Sequence, residues 1–252
     1  MNITDIQKIR ATLQPRDLMT AFILLTRLPL PAAPFAPNAD RSAAQAAWAY
    51  PLVGFGVGCI AIVVAWVMQW LGVVSGAMHE DGLADCADGF WGGWDMAKRL
   101  SIMKDSQIGT YGVIALVTSL LLRWYVITQM IEKGVLIGAV LTAAVMSRGA
   151  MVWVMHRLPY ARRDGLAQQT GRPGRAATYV ALGLAALAAL FAPEVSAFWL
   201  IVIAVLCTLG VSAVARRKIG GQTGDVLGAT QQIVELDILI AFDTMVYDWN
   251  PD

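Results

Sequence analysis

The chain has 252 residues, 57% of them hydrophobic and 15% charged. Soluble domains average about 25% charged and 45–50% apolar residues, so this composition is that of a membrane protein. With 19 basic against 18 acidic residues the net charge is +1, which leaves no global field for binding nucleic acid.

In chain order, the polar opening MNITDIQKIRATLQPRD lacks the apolar core of a cleavable signal and reads as a short interfacial helix. LMTAFILLTRLPLPAAPFAP (18–37) is apolar but broken by Arg27 and four prolines, so it crosses once, dips in and returns, or lies at the interface. A helix needs about 20 residues to cross a core of about 30 Å, and Trp48 to Met78 makes one generous span. The acidic stretch HEDGLADCADGFWGG (79–93) follows, then a polar segment to Thr110. Tyr111–Ile131 and Val135–Met155 make two spans joined at Glu132-Lys133-Gly134. An Arg-rich loop occupies 156–175, and spans at Ala176–Phe191 and Ala197–Ala215 turn at Ala192-Pro193-Glu194. The tail carries ARRKIGGQTGDVLGATQQ and a last apolar segment, IVELDILIAFDTMVYDW, interrupted by Asp237 and Asp243. The expectation is an all-α, polytopic integral membrane bundle of about six or seven membrane segments, forming one domain over 1–252. Cys59, Cys86 and Cys207 show no CxxC or metal-ligand spacing and read as reduced packing residues.

Short-loop Lys and Arg set orientation. The loop 156–175 holds Arg157, Arg162, Arg163, Arg172 and Arg175, the segment 215–222 holds Arg216, Arg217 and Lys218, and 79–110 holds Lys98, Arg99 and Lys104. The turns between them hold only Lys133. All motif-rich segments therefore belong to one side, expected to be cytoplasmic.

If 79–89 is helical, Asp81, Asp85 and Asp88 stand at i, i+4 and i+7 on one face, while His79 and Glu80 point elsewhere. Three carboxylates there repel unless a cation neutralises them, and an all-oxygen set suits Mg²⁺ or Mn²⁺, which bridge carboxylates and phosphates. The plainer alternative is a solvated acidic helix end marking the membrane boundary. Gly82, Gly89, Gly92 and Gly93 allow close approach. On the same side, IMKDSQIGTYG supplies Lys104, Asp105 and Ser106, and GGQTGD is a glycine turn ending at Asp225, without the GK[ST] of a P-loop. Arg123 and Arg148 lie inside apolar runs, where each is either an ion-pair partner or a phosphate ligand; phosphate is the preferred reading for Arg148, which lies nearer the cytoplasmic end. Arg162 and Arg163 form a basic lip or a topology signal, and Trp91 and Trp94 read as interfacial anchors. His79 and His156 are too isolated for a zinc site, and neither HExxH nor GxSxG occurs. The constellation fits metal-assisted transfer of a substituted phosphoryl group at the membrane surface.

HEDGLADCADGFWGG, IMKDSQIGTYG, SRGAMVWVMHRLPYARRDGLA and GGQTGDVLGA, in this order, with LLTRLPLP and WAYPLVG before them, resemble the cobalamin 5'-phosphate synthase (adenosylcobinamide-GDP ribazoletransferase) family. The resemblance spans nearly the whole chain. It implies an inner-membrane enzyme, its active site facing the cytoplasm, that joins adenosylcobinamide-GDP to α-ribazole or its 5'-phosphate, releases GMP and uses Mg²⁺, with Mn²⁺ as a substitute. It also allows a homo-oligomer and association with other corrinoid-assembly enzymes. The family's pattern falls on His79, Asp81, Gly82, Asp85 and Asp88, on Lys104, Asp105 and Ser106, on Ser147 and Arg148, and on Gly220, Gly221, Thr223, Gly224 and Asp225. By chemistry, Asp81, Asp85, Asp88 and Asp225 are assigned to metal, Asp105 or Asp88 to the base, and Arg148 and Lys104 to pyrophosphate; Ser106, Gly221, Thr223 and Gly224 are further substrate contacts. The chain departs from the family in having roughly one membrane-length of sequence, not two, between Pro51 and His79.

Two other readings compete. A CDP-alcohol phosphotransferase is disfavoured because Cys86 follows Asp85 where that family's pattern continues differently. A cation-coupled transporter would place its carboxylates near the bilayer midplane, whereas these gather at one edge.

Overall fold

A computed structural model describes residues 13–26, 43–67, 76–162, 164–192 and 195–247. The helices are α1 (Pro15–Leu25), α2 (Tyr50–Val67), α3 (Met78–Gly92), α4 (Met96–Ile102), α5 (Thr110–Glu132), α6 (Leu136–Arg157), α7 (Leu166–Thr170), α8 (Arg175–Leu190), α9 (Ala197–Ile219) and α10 (Gly224–Tyr247), with a 3-10 turn over Ala43–Ala49 before α2. Among the described residues there is no named strand, only an isolated parallel bridge between Tyr160 and Gln222. The all-α expectation holds.

Among the described residues three helices, α5, α6 and α9, are long and apolar enough to cross a membrane, and α8 and the 44–60 stretch are shorter apolar helices. α6 is mostly buried and packs against α2, α8 and α10. α5 and α9 lie outside and turn large apolar side chains outward, among them Ile114, Leu121, Trp124, Phe198, Trp199 and Leu206. In water such faces would be a liability; against lipid they are the expected surface. The observed helix limits of α5, α6, α8 and α9 lie within a few residues of the sequence reading, because unbroken apolar runs bounded by Gly, Pro or charge leave little freedom. Residues 68–75, 193 and 194 lie outside the described residues, as do 1–12 and most of the proline-rich segment.

The acidic stretch forms a helix of its own, α3, which starts after Gly76 and Ala77, both at positive φ (69° and 58°). One element differs from expectation. The last helix begins at Gly224, nine residues before the apolar run, because Gln231 and Gln232 are buried with polar partners inside the bundle.

α10 is the axis of the assembly, packing against α3, α5, α6 and α9. At its first turn it meets α3 closely enough that only glycine fits. A Cβ on Gly82 would stand 2.8 Å from the Asp225 carbonyl oxygen, and one on Gly228 would stand 3.1 Å from the His79 Cα. Small residues at such crossings let backbones approach, as in membrane helix pairs generally. The same end of the bundle collects the polar segments. Ala161 N–H donates to the Gln222 carbonyl (2.9 Å), Gln222 N–H to the Pro159 carbonyl (2.8 Å), and Arg99 Nη1 to the Lys218 carbonyl (2.9 Å). Lys218 in turn reaches the Phe90 carbonyl (3.0 Å) and lies over the Trp91 ring (5.4 Å). The opposite end is marked by Lys133, whose Nζ binds Asp243 Oδ1 at 2.6 Å. The expected segregation of 79–110, 156–175 and 215–222 from the 132–134 turn is therefore observed.

Gly82→Ala should drive the α3–α10 crossing apart, since the obstacle is backbone. A destabilisation of about 1–3 kcal/mol is expected from such overpacking, read as a lowered unfolding midpoint in detergent. Gly183→Ala, on a glycine whose Cβ would meet nothing, is the neutral control.

Candidate active site

The site is built where α3 crosses the start of α10. Thr223 Oγ1 accepts the Val226 amide (3.3 Å) and donates to Asp225 Oδ2 (3.0 Å), so the helix start and the carboxylate are set together. Gly221 is needed for contact rather than for phosphate: its Cβ would stand 2.1 Å from the Pro159 carbonyl oxygen. That contact brings the 159–162 loop over the site, and Arg162 Nη2 lies 3.4 Å from Asp225 Oδ2. Gly224 has open space where a side chain would be.

Asp81, Asp225 and Arg162 line one cavity of about 120 Å³, together with Tyr50, His79 and Gly228. Asp85 lies one turn along from Asp81. Its carboxyl is pushed up to about 7, by burial first and then by the charges of Asp225, Asp81 and Asp88, with Arg162 opposing. Asp85 thus feels Asp81 and Asp88 of its own helix, the set that the sequence spacing puts on one face, and also Asp225 from a helix far along the chain.

Asp88 is committed elsewhere. Buried beneath the start of α5, it accepts the Gly109 amide at Oδ2 (2.7 Å) and the Gly112 amide at Oδ1 (2.9 Å). Helix N-termini leave amides without partners and carry partial positive charge, so a carboxylate from another helix caps α5 as a local Ser or Asp would. A Cβ at Gly109 or Gly112 would fall within about 2.5 Å of that carboxylate, which explains both glycines. Asp105 is exposed, with Oδ1 accepting the Gln107 amide (3.1 Å), and Ser106 is exposed beside it. Lys104 pairs with Asp164, and both are exposed, so this pair is a surface tether between two loops.

Arg148 lines a second cavity, of about 290 Å³, on the other side of α3 from the Asp cavity. There Arg123 and Arg148 both meet Glu235: Arg123 Nη1 pairs with Oε1 and Arg148 Nη1 lies 3.5 Å from Oε2. Arg123 Nη2 also reaches Gln232 Oε1 at 2.9 Å, and Gln231 bonds to Glu235. The ion-pair alternative for Arg123 is therefore the observed one, and Arg148 has the same partner. Sequence reasoning passed over Glu235, although a carboxylate in an apolar run is itself a signal. It also gave His79 no role: His79 is buried between the two cavities, and its imidazole is pulled down to about 4 by burial and by Arg148, so it is neutral at pH 7.

Among the described residues, no group of three or more His, Cys, Asp and Glu stands ready to hold a metal ion. The donors do suit a hard cation that arrives with substrate oxygens, since Mg²⁺ is commonly held by one or two carboxylates plus phosphate. Two buried polar atoms of residues lining the Asp cavity, Tyr50 Oη and Arg162 Nη1, have no hydrogen-bond partner among the described residues, as expected of a site that takes an anionic group. Asp81, Asp85 and Asp225 fit such a cation, whereas Asp88 has both oxygens engaged.

The raised Asp85 carboxyl links stability to pH. Between about pH 4 and 7 the folded chain holds a proton that the unfolded chain releases, so Asp85 weakens the metal-free fold progressively as pH rises through that window. Asp85→Asn should therefore raise the unfolding midpoint at pH 8 and leave it unchanged near pH 4. A gap independent of pH would contradict this arrangement.

Comparison with known proteins agrees with the constellation. The family model described as Cobalamin-5-phosphate synthase matches residues 17–242. A protein of Sinorhizobium medicae named adenosylcobinamide-GDP ribazoletransferase is 39% identical over 247 residues, covering 88% of this chain and 94% of the relative. Proteins with the same name from Mesorhizobium japonicum (36% identical; 91% and 95% covered) and Bradyrhizobium diazoefficiens (37%; 89% and 92%) are similar to it as well. No solved structure matches the chain. The matched region takes in the Asp helix, the 102–112 segment and the start of α10 alike, and the chain belongs to the cobalamin-5-phosphate synthase family, transferases of cobalamin synthesis.

Proposed function

We propose that this enzyme joins adenosylcobinamide-GDP to α-ribazole or its 5'-phosphate and releases GMP, at the cytoplasmic face of the inner membrane, with Mg²⁺ held by Asp81, Asp85 and Asp225. The observation that carries the reading is that Asp81 and Asp225, from two helices, line one cavity with Arg162, that Asp85 feels both of their charges, and that two buried polar atoms there, at the basic end of the bundle, have no hydrogen-bond partner among the described residues. The excess of Lys and Arg at that end supports the cytoplasmic assignment.

The bound cation supplies charge neutralisation on the pyrophosphate oxygens. The chain's own groups do the rest. Arg162 leaves Asp225 to contact the anionic substrate, a role its unpartnered Nη1 suits better than Arg148, which lines the other cavity. A ribazole hydroxyl oxygen bonds to the phosphorus bearing the corrinoid. The bond from that phosphorus to the bridging oxygen breaks, and GMP departs with the electron pair. The hydroxyl proton passes to Asp105, which is exposed and accepts only the Gln107 amide among the described residues. Lys104 and Ser106 flank it as substrate contacts once Lys104 releases Asp164. Asp88, Gly221 and Thr223 hold the elements in place, and open space at Gly224 admits the substrate beside Asp225.

Enzyme purified into nanodiscs should form GMP from adenosylcobinamide-GDP and α-ribazole or its 5'-phosphate. Asp85→Asn should lower kcat by about 100-fold or more, the scale for losing one electrostatic contact to the transition state. Chelation should abolish turnover and Mg²⁺ restore it. No GMP from folded wild-type enzyme overturns the transferase reading; full activity after chelation overturns the metal alone.

A further inference from the structure

The second cavity carries more than an ion-pair cluster. Its walls are aliphatic, with Val57, Ile127, Val140 and Leu239 among them, and its polar end presents His79, Glu80 and Arg148. Three atoms of that polar end are buried without a hydrogen-bond partner among the described residues: His79 Nε2, Glu80 Oε2 and Arg148 Nε. His79 and Arg148 are each 3% exposed. Buried polar groups left unsatisfied are costly, and here three of them border one space. The charges around it balance, with Arg123 and Arg148 against Glu80 and Glu235, so the space is made neither for a bare anion nor for a bare cation. It fits a molecule with an apolar body and a rim that both donates and accepts hydrogen bonds.

We infer that this cavity is the acceptor pocket and binds the aryl ribonucleoside, ring against the aliphatic wall and ribose hydroxyls toward Glu80 and His79; this rests on the transferase reading above. Three points select that occupant. At about 290 Å³ the cavity matches a nucleoside and is far too small for a corrinoid joined to GDP. A carboxylate oxygen without a donor asks for a hydroxyl, and the Arg148 Nε–H asks for an acceptor such as a ring nitrogen or ribose oxygen. His79 lines both cavities, so a nucleoside held on one side of α3 has its ribose at the wall shared with the Asp cavity, where the phosphorus is to be attacked. Arg148 is then an acceptor-binding residue, fixed by Glu235 and by its bond to the Ala144 carbonyl (3.0 Å), with Gly54 giving its side chain room.

The test measures binding and KM for α-ribazole and for its 5'-phosphate, separately, on nanodisc enzyme. Val140→Phe fills the aliphatic wall, and Glu80→Gln keeps the size while replacing the carboxylate. Both should weaken acceptor binding about tenfold or more, the scale for losing a buried contact to a charged group, with KM for adenosylcobinamide-GDP within about twofold of wild type. Asp85→Asn should keep acceptor affinity while losing turnover. If only one acceptor form responds to the variants, that form is the occupant. Unchanged acceptor constants in either folded variant, or equal losses for both substrates, overturn the pocket while GMP formation by wild-type enzyme keeps the transferase reading intact. No GMP with either acceptor removes that reading itself.

Discussion

The close crossing of α3 and α10 is the constraint on which the rest depends. Gly82 and Gly228 have no side chains to hold the backbones apart, so the Asp helix lies directly on the first turn of the last helix. Two consequences follow from that contact. Asp81 and Asp225 line one cavity, with Asp85 feeling both of their charges, and His79 is buried in the bundle at the border of two cavities. The repulsion this creates is tolerated because Arg162 is brought over the site by the 159–162 loop, which Gly221 allows to pair with Gln222. The repulsion of like charges is therefore local, and it is opposed by the apolar cluster to which Cys86, Phe90, Val226 and Leu227 of the two helices belong.

Charge inside the bundle is handled differently. Glu235 is met by Arg123 from α5 and Arg148 from α6, with Gln231 and Gln232 filling the remaining positions. Removing one member of such a cluster leaves an uncompensated buried charge, which is far costlier than the cluster is stabilising. Three helices are thereby pinned in register around one carboxylate. A polar ligand entering there finds donors and acceptors already oriented, so binding need not reorder them.

The helices were legible in the sequence where apolar runs were unbroken. Glu132-Lys133-Gly134 bounds α5 and α6 as read, and the positive-inside count grouped the segments that do share an end. The acidic stretch, whose Asp81, Asp85 and Asp88 share a face only if it is helical, is a helix. The partners of its side chains were less visible. Asp88 appeared to belong to the same face as Asp81 and Asp85, yet its oxygens cap a helix that begins at Thr110, because unpaired amides at the start of α5 lie within its reach. Arg148 was assigned to phosphate for its position in the span, and an acid from α10 answers it instead. Both differences have one cause: a periodicity states which residues share a face and is silent on which helix faces them.

The sequence by itself determined the class of protein, the helices, the concentration of acid in the 79–93 stretch and, through the order of its motifs, the family. Composition and spacing are local properties, and lipid leaves helices as the main way to satisfy a spanning backbone. The tertiary structure alone decided that three carboxylates gather while a fourth caps a helix, that Arg162 rather than Arg148 accompanies them, and that a neutral histidine separates two cavities. Those outcomes depend on distances between different helices and loops, from Asp88 and Gly109, 21 residues apart, to Arg162 and Asp225, 63 apart, and to α3 and α10 farther still, and such distances are set by how closely glycines let the helices pack.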